Sequence, residues 1–172
     1  MSGHSKWSQI KRQKAITDNK RSGVFTKLSR NISVAAKKGK DPEMNHALRA
    51  AIDAAKNASM PKDNIAKAIL RGTGELAGQA LEEATYEGYG PGGVALMIRC
   101  VTDNKNRTAA YLKSVLAKAD GKLTGPNSVA YLFKLNNAVN KIQLNNENQQ
   151  KLNTLLEELE ANDDVSNVYT NA

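Results

Sequence analysis

The stretch EATYEGYGPGGVALMIRCV, Glu83 to Val101, decides the fold, because the spacing of apolar residues changes there from steps of three and four to steps of two or unbroken runs. Glu83 to Tyr89 and Val94 to Val101 read as two strands, and the glycines and proline of GYGPGG between them suit a tight reversal. On the N-terminal side of this stretch the pattern is written for helices. On the C-terminal side helices and strands are mixed.

Working toward the N-terminus, the glycine-rich joint GTGELAG, Gly72 to Gly78, separates the strands from three helical patterns. Phe25, Leu28, Ile32, Ala35 and Ala36 share one face of a first helix starting near Ser22, with Gly39 as its C-cap. At 100° per residue, Lys27, Arg30, Lys37 and Lys38 point away from that face. Asp41 before Pro42 reads as the N-cap of a second helix, whose stripe is Met44, Leu48, Ala51, Ile52 and Ala55. A third starts at Ser59-Met60-Pro61, turns Ile65, Ala68 and Ile69 inward and Lys67 and Arg71 outward, and stops at Gly72. Three short helices with one apolar face each make a small bundle.

Toward the C-terminus, Asn104 or Asn106 caps a helix with Tyr111, Leu112, Val115, Leu116 and Ala119 on one face. Ser128 to Leu135 reads as a third strand, in which Tyr131 and Phe133 share a face best explained as core. A polar stretch, Asn136 to Asn148, leads to a helix with Leu152, Leu155, Leu156 and Leu159 inward, and Val165 to Thr170 closes as a strand. The expected fold class is α+β: a basic three-helix bundle, then an antiparallel sheet in the order β-β-α-β-α-β with two helices on one face, ferredoxin-like. The expected domains are a basic arm at 1–20, the bundle at 21–76 and the α+β domain at 77–172. No internal repeat and no sustained heptad is present.

Charge divides the same way. The first forty residues hold eleven Lys or Arg and one acid, Asp18. Met1 to Gly72 carries sixteen basic residues against five acids, and the remainder nine against twelve, within an overall net charge of +8. A block of one sign repels itself unless it meets a partner of the opposite sign, and nucleic acid is the commonest such partner. A tail that merely aids solubility is the blander alternative. Met1 to Lys20, with few apolar residues, reads as an arm loosely held until it meets that partner. Trp7 in this arm either stacks on a base or anchors the arm on the bundle.

Material for catalysis is thin. His4 and His46 are the only histidines, and His4 fits a basic binding arm better than a ligand set. With the single Cys100, placed in an apolar run as a buried thiol, a structural zinc site and an internal disulfide are both excluded. GTGELAG and GYGPGG lack the Gly-Lys-Ser/Thr ending of a nucleotide P-loop and the strand-to-helix setting of a dinucleotide fingerprint. Glu157, Glu158, Glu160, Asp163 and Asp164 read as a solvated face. No metal, cofactor or enzymatic activity is expected. No apolar run reaches the roughly 18 residues of a membrane span, and the N-terminus lacks a signal-peptide core, so a cytosolic protein is expected.

Several ordered segments carry a resemblance: GHSKW with its basic arm, FTKLSRNISVAAKKG, LRAAID, MPKDNIAKAILRGTGE, YEGYGPGGVA, TDNKNRTA, SVAYLF and DDVSNVYTN. In these the chain is similar to the YebC/PmpR family, which includes the mitochondrial translational activator of cytochrome c oxidase. The resemblance implies a helical N-terminal domain followed by α+β domains, a cytoplasmic or mitochondrial-matrix location and no enzymatic activity. It also implies two kinds of function: transcriptional regulation by binding promoter DNA, and ribosome-associated help in synthesising proline-rich sequences, with ribosomal or transfer RNA as partner. Either would use His4, Lys6, Trp7, Lys11, Arg12, Lys14, Lys20, Arg21, Lys27, Arg30, Lys37, Lys38, Lys67 and Arg71. A monomer is favoured. Members usually carry a further α+β domain between the segment matching SVAYLF and the terminal helix, where this chain has only Lys134 to Lys141.

Overall fold

The computed structural model describes residues 18–172, with side chains from residue 21 onward. It has two compact units. One is helical, runs to Glu83 and takes in Val101–Asp103; the other comprises Ala84–Cys100 and Asn104–Ala172.

The helical unit consists of α1 (Asp18–Ala36), α2 (His46–Asn57) and α3 (Lys62–Thr73). Its core uses stripe residues expected from periodicity, Ile32, Ala36, Leu48, Ile52, Ala55, Ile65 and Ala68, and adds Met60 from the turn before α3, with Phe25, Leu28 and Ala35 packed against it. Small side chains let the helices approach closely. A Cβ at Gly72 would lie 2.2 Å from the Ser33 carbonyl oxygen and 2.8 Å from Ala36 Cβ, so only glycine fits between α1 and α3. That is why α3 runs through Gly72 instead of stopping there; Gly74, left-handed at φ 81°, ends it. Beside this contact the Ser33 hydroxyl donates to the Ala68 carbonyl at 2.8 Å.

The expected cap of α2 is also corrected. Asp41 accepts from the Glu43 amide in a local turn at 2.9 Å, and Met44 is 84% exposed. Asn45 is the cap: its Oδ1 accepts from Leu48 N, while its Nδ2 donates to the carbonyls of Ala35 and Gly39, both at 2.8 Å. One buried amide thereby ties the end of α1 to the start of α2. The end of α1 falls at Ala36, three residues before the glycine expected to cap it.

The α+β unit contains β1 (Glu82–Tyr89), β2 (Ala95–Thr102), α4 (Lys105–Lys118), β3 (Lys122–Thr124), the short hairpin β4 (Phe133–Lys134) and β5 (Asn137–Ala138), α5 (Asn146–Ala161) and β6 (Val165–Thr170). The four-stranded sheet has the order β3-β1-β2-β6. Strand β1 pairs antiparallel with β3, Gly88 opposite Leu123, and β2 pairs antiparallel with β6, Ile98 opposite Val168. The turn GYGPGG forms as expected, with Gly92 and Gly93 at φ 69° and 78°.

Strand β2 explains its own unbroken apolar run, because both faces of the sheet are covered. Leu96, Ile98 and Cys100 pack with Leu112, Val115 and Leu116 of α4 and Leu152, Leu155, Leu156 and Leu159 of α5. Ala95 and Met97, on the other face, pack with Val129 and Phe133. The segment expected as a third strand, Ser128 to Leu135, is instead a 3-10 turn at Ala130–Leu132 leading into the hairpin; the third strand of the sheet is Lys122–Thr124. Period-two alternation therefore does not apply there: Phe133 is core, while Tyr131 is 70% exposed.

A buried carboxylate holds that segment. Glu87 on β1, 6% exposed, accepts from the backbone amides of Asn127, Val129 and Ala130 at 2.7 to 2.9 Å. Burial pushes its pKa up, but these amides favour the ionised form strongly enough to hold it below the usual 4.5. Asp164, before β6, plays a similar part at the start of α4, accepting from Arg107 Nη2 at 3.0 Å and from the Thr108 hydroxyl at 2.9 Å. Asn104 is the cap of that helix, its side chain accepting from Arg107 N at 3.0 Å.

Candidate nucleic-acid interface

A groove of about 950 Å³ runs along the helical unit between α1, α3 and the segment after α3. Arg21 and Arg30 line it from α1, Lys67 and Arg71 from α3. Lys67 and Arg71 are one turn apart on α3 and so share a face, whereas Arg21 and Arg30, nine residues and two and a half turns apart, leave opposite sides of α1 and yet both border the groove. Among the described residues no aspartate or glutamate lines the groove. Four cations on a concave surface without an acid set a positive potential that attracts phosphate.

Its floor is less polar. Phe25, half-buried, packs on the helical core and also lines the groove, with Met60 beside it. Asn64 and Gln79 add amides at the walls, groups that both donate and accept. The segment after α3 contributes Ala77, Gly78, Gln79 and Leu81. It is held in place by its neighbours. The Lys37 ammonium donates to the Leu81 carbonyl, and the absence of a side chain on Gly78 leaves room for the aliphatic stem of Arg71, whose Cγ would lie 3.2 Å from a Cβ there.

The structure brings together Arg21, Arg30, Lys67 and Arg71 of the residues expected to contact nucleic acid. Arg30 is half-buried and its Nη1 donates to the Val101 carbonyl at 3.3 Å. Lys37 serves the Leu81 carbonyl, Lys38 is exposed, and Lys27 is half-buried; none of these three lines the groove. Lys20 falls in the first turn of α1, ahead of the described side chains, and His4, Lys6, Trp7, Lys11, Arg12 and Lys14 lie outside the described residues. Sequence reasoning missed Phe25, Asn64 and Gln79. Phe25 was legible only as a core position, because periodicity reports which face is apolar and not how much of a large ring the core covers.

Elsewhere, Cys100 is buried as expected. Among the described residues no group of three or more His, Cys, Asp or Glu is placed to hold a metal ion, and no helix is long and apolar enough to cross a membrane.

These features define a class of protein with a basic helical unit, its groove lined by four cations, joined to an α+β unit of mixed charge. The TACO1/YebC protein N-terminal domain matches residues 5–75, and the TACO1/YebC second and third domain matches residues 81–139. The chain belongs to the TACO1/YebC family. It is 48% identical over 176 residues to a "Probable transcriptional regulatory protein" of Dictyoglomus turgidum, a match covering 99% of this chain and 71% of the relative. It is 56% identical over 135 residues to a protein of the same description from Dictyoglomus thermophilum, covering 78% of this chain and 54% of the relative. The chain thus spans between about half and seven-tenths of the length of such relatives. A crystal structure of a conserved hypothetical protein from Aquifex aeolicus superposes with a TM-score of 0.88 at 33% identity, covering 97% of this chain and 96% of that one.

Proposed function

We propose that this chain is a non-enzymatic regulator of gene expression that binds RNA through its basic helical unit, acting with the ribosome to assist synthesis of proline-rich sequences. The observation that carries this reading is the acid-free groove of Arg21, Arg30, Lys67 and Arg71, backed by the N-terminal block of positive charge. Such a surface binds backbone phosphate by releasing condensed counterions, which gives affinity without sequence choice and suits an abundant RNA. In this reading the protein works as a monomer in the cytoplasm, or in the mitochondrial matrix if organellar.

A second reading, a DNA-binding transcriptional regulator acting at promoters with the same residues, is favoured by the description its relatives carry. Crosslinking in cells followed by sequencing of the bound nucleic acid separates the two. Ribosomal or transfer RNA reads support the first; promoter DNA, bound about 10³-fold or more above random DNA at physiological salt, overturns it in favour of the second. Sedimentation away from active ribosomes would also count against the first.

A further inference from the structure

We infer that the groove of the helical unit takes a single-stranded stretch of polynucleotide, with a base against the ring of Phe25 and neighbouring phosphates on Arg21, Lys67 and Arg71. The inference rests on the nucleic-acid reading above and specifies the form of the ligand.

The shape comes first. Proteins that read duplex do so with a protruding helix or ribbon that enters a groove of the nucleic acid. Here the protein surface is the concave one, so the ligand must protrude. A volume of about 950 Å³ lies near the top of the roughly 300–1,000 Å³ of small-ligand sites, which leaves room for a nucleotide and the phosphates beside it. That volume is on the scale of a nucleotide and not of an intact duplex, whose major groove alone is about 12 Å wide.

The chemistry points the same way. Single strands are held by a positive channel along the backbone combined with aromatic faces on which bases stack. The groove has both: cations on α1 and α3, with Phe25 and Met60 among its lining residues. A surface made only to neutralise a duplex backbone has no use for an aromatic ring at its floor. The ring is partly buried and also packs against the helical core. Asn64 and Gln79 can meet a base edge as donor or acceptor, so they add polar contact without selecting one base.

The test uses the full chain, arm included, so that the arm contributes equally to every measurement. Fluorescence anisotropy at physiological salt compares an oligouridylate, an oligodeoxythymidylate and a duplex with the same number of phosphates. Both single strands are expected to bind more tightly than the duplex. Phe25→Leu is expected to weaken single-strand binding roughly 5- to 100-fold without changing its salt dependence, and Phe25→Trp, which keeps a stacking face, to retain it. Lys67→Gln is expected to reduce the slope of log K against log salt by about 0.7. Circular dichroism establishes that each variant is folded. A duplex bound as tightly as the single strands, or folded Phe25→Leu binding them undiminished while Lys67→Gln weakens them, overturns the inference and leaves the nucleic-acid reading standing. Binding of no nucleic acid by the unaltered chain overturns both.

Discussion

The two units place charge in opposite ways. The helical unit keeps most of its cations at the surface, and among its described residues the buried polar groups are neutral, the hydroxyl of Ser33 and the amide of Asn45 among them, each donating to backbone carbonyls. The α+β unit buries carboxylates, Glu87 and Asp164, and surrounds them with backbone amides, a guanidinium and a hydroxyl. Carboxylates accept several hydrogen bonds at once, so one of them can fix an irregular loop that has no strand ladder of its own. A cation at the surface does nothing comparable for stability, since exposed ion pairs contribute little. Buried charge thus fixes loops in the α+β unit, while in the helical unit Lys37 and Arg30 serve backbone carbonyls and Arg21, Lys67 and Arg71 line the groove.

The sharpest break of this contrast should come from the α+β core. Leu156 is fully buried against the sheet, and Leu156→Ala is expected to cost about 2–5 kcal/mol in denaturant unfolding while leaving nucleic-acid affinity unchanged. Equal loss of affinity would show that the two units do not divide labour in this way.

Glu87→Gln should cost roughly 1–3 kcal/mol, because an NH₂ group replaces one acceptor oxygen and faces backbone donors. It should also change the pH dependence. Since Glu87 is held below 4.5 in the folded state, its ionised form contributes stability above that pH, and the contribution is lost as pH falls through the lower folded-state value. Urea unfolding of the wild type should therefore weaken on the acid side of about pH 4.5, and the variant should show a flatter acid limb.

Gly72→Ala should destabilise the helical unit by roughly 1–3 kcal/mol, since the new methyl meets the Ser33 backbone and α1 and α3 must separate. Because these helices wall the groove, affinity should fall with stability, unlike the Leu156 case. The double variant Lys67→Gln, Arg71→Gln should do the reverse: unfolding within about 0.5 kcal/mol of wild type, but weaker binding and a salt slope reduced by about one to two, measured by titration over salt. The smallest effect is expected of Lys40→Ala, which breaks the exposed 3.0 Å pair with Glu75; no shift in melting temperature should be measurable.

Much of this molecule is legible in its residues. Apart from Met44, the apolar stripes of all three N-terminal helices, and of α4 and α5, are the ones that the cores use, because a helix repeats regularly and its buried face must recur at steps of three and four. Local stops and starts were less legible. Asp41-Pro42 has the form of a cap, but Asn45 can reach the Ala35 carbonyl of the preceding helix and the Gly39 carbonyl just past its end as well as Leu48 N, and that tertiary gain moves the start of α2. Gly72 has the form of a helix stop, yet its missing side chain serves contact between helices. Ser128 to Leu135 has the alternation of a strand, but the Glu87 carboxylate takes the amides of Val129 and Ala130 that a strand would offer to a neighbour.

For the candidate site, the sequence by itself determined that the N-terminal part is a cationic helical unit and which of its residues face away from the apolar stripe. It could not say which of those cations converge. That Arg21, Arg30, Lys67 and Arg71 surround one groove with Phe25 at its floor, while Lys37 is spent on the Leu81 carbonyl, was decided by the packing of α1 on α3. Periodicity assigns a residue to a face of its own helix; only the contact between helices, here as close as Gly72 allows, sets which faces meet across a shared space.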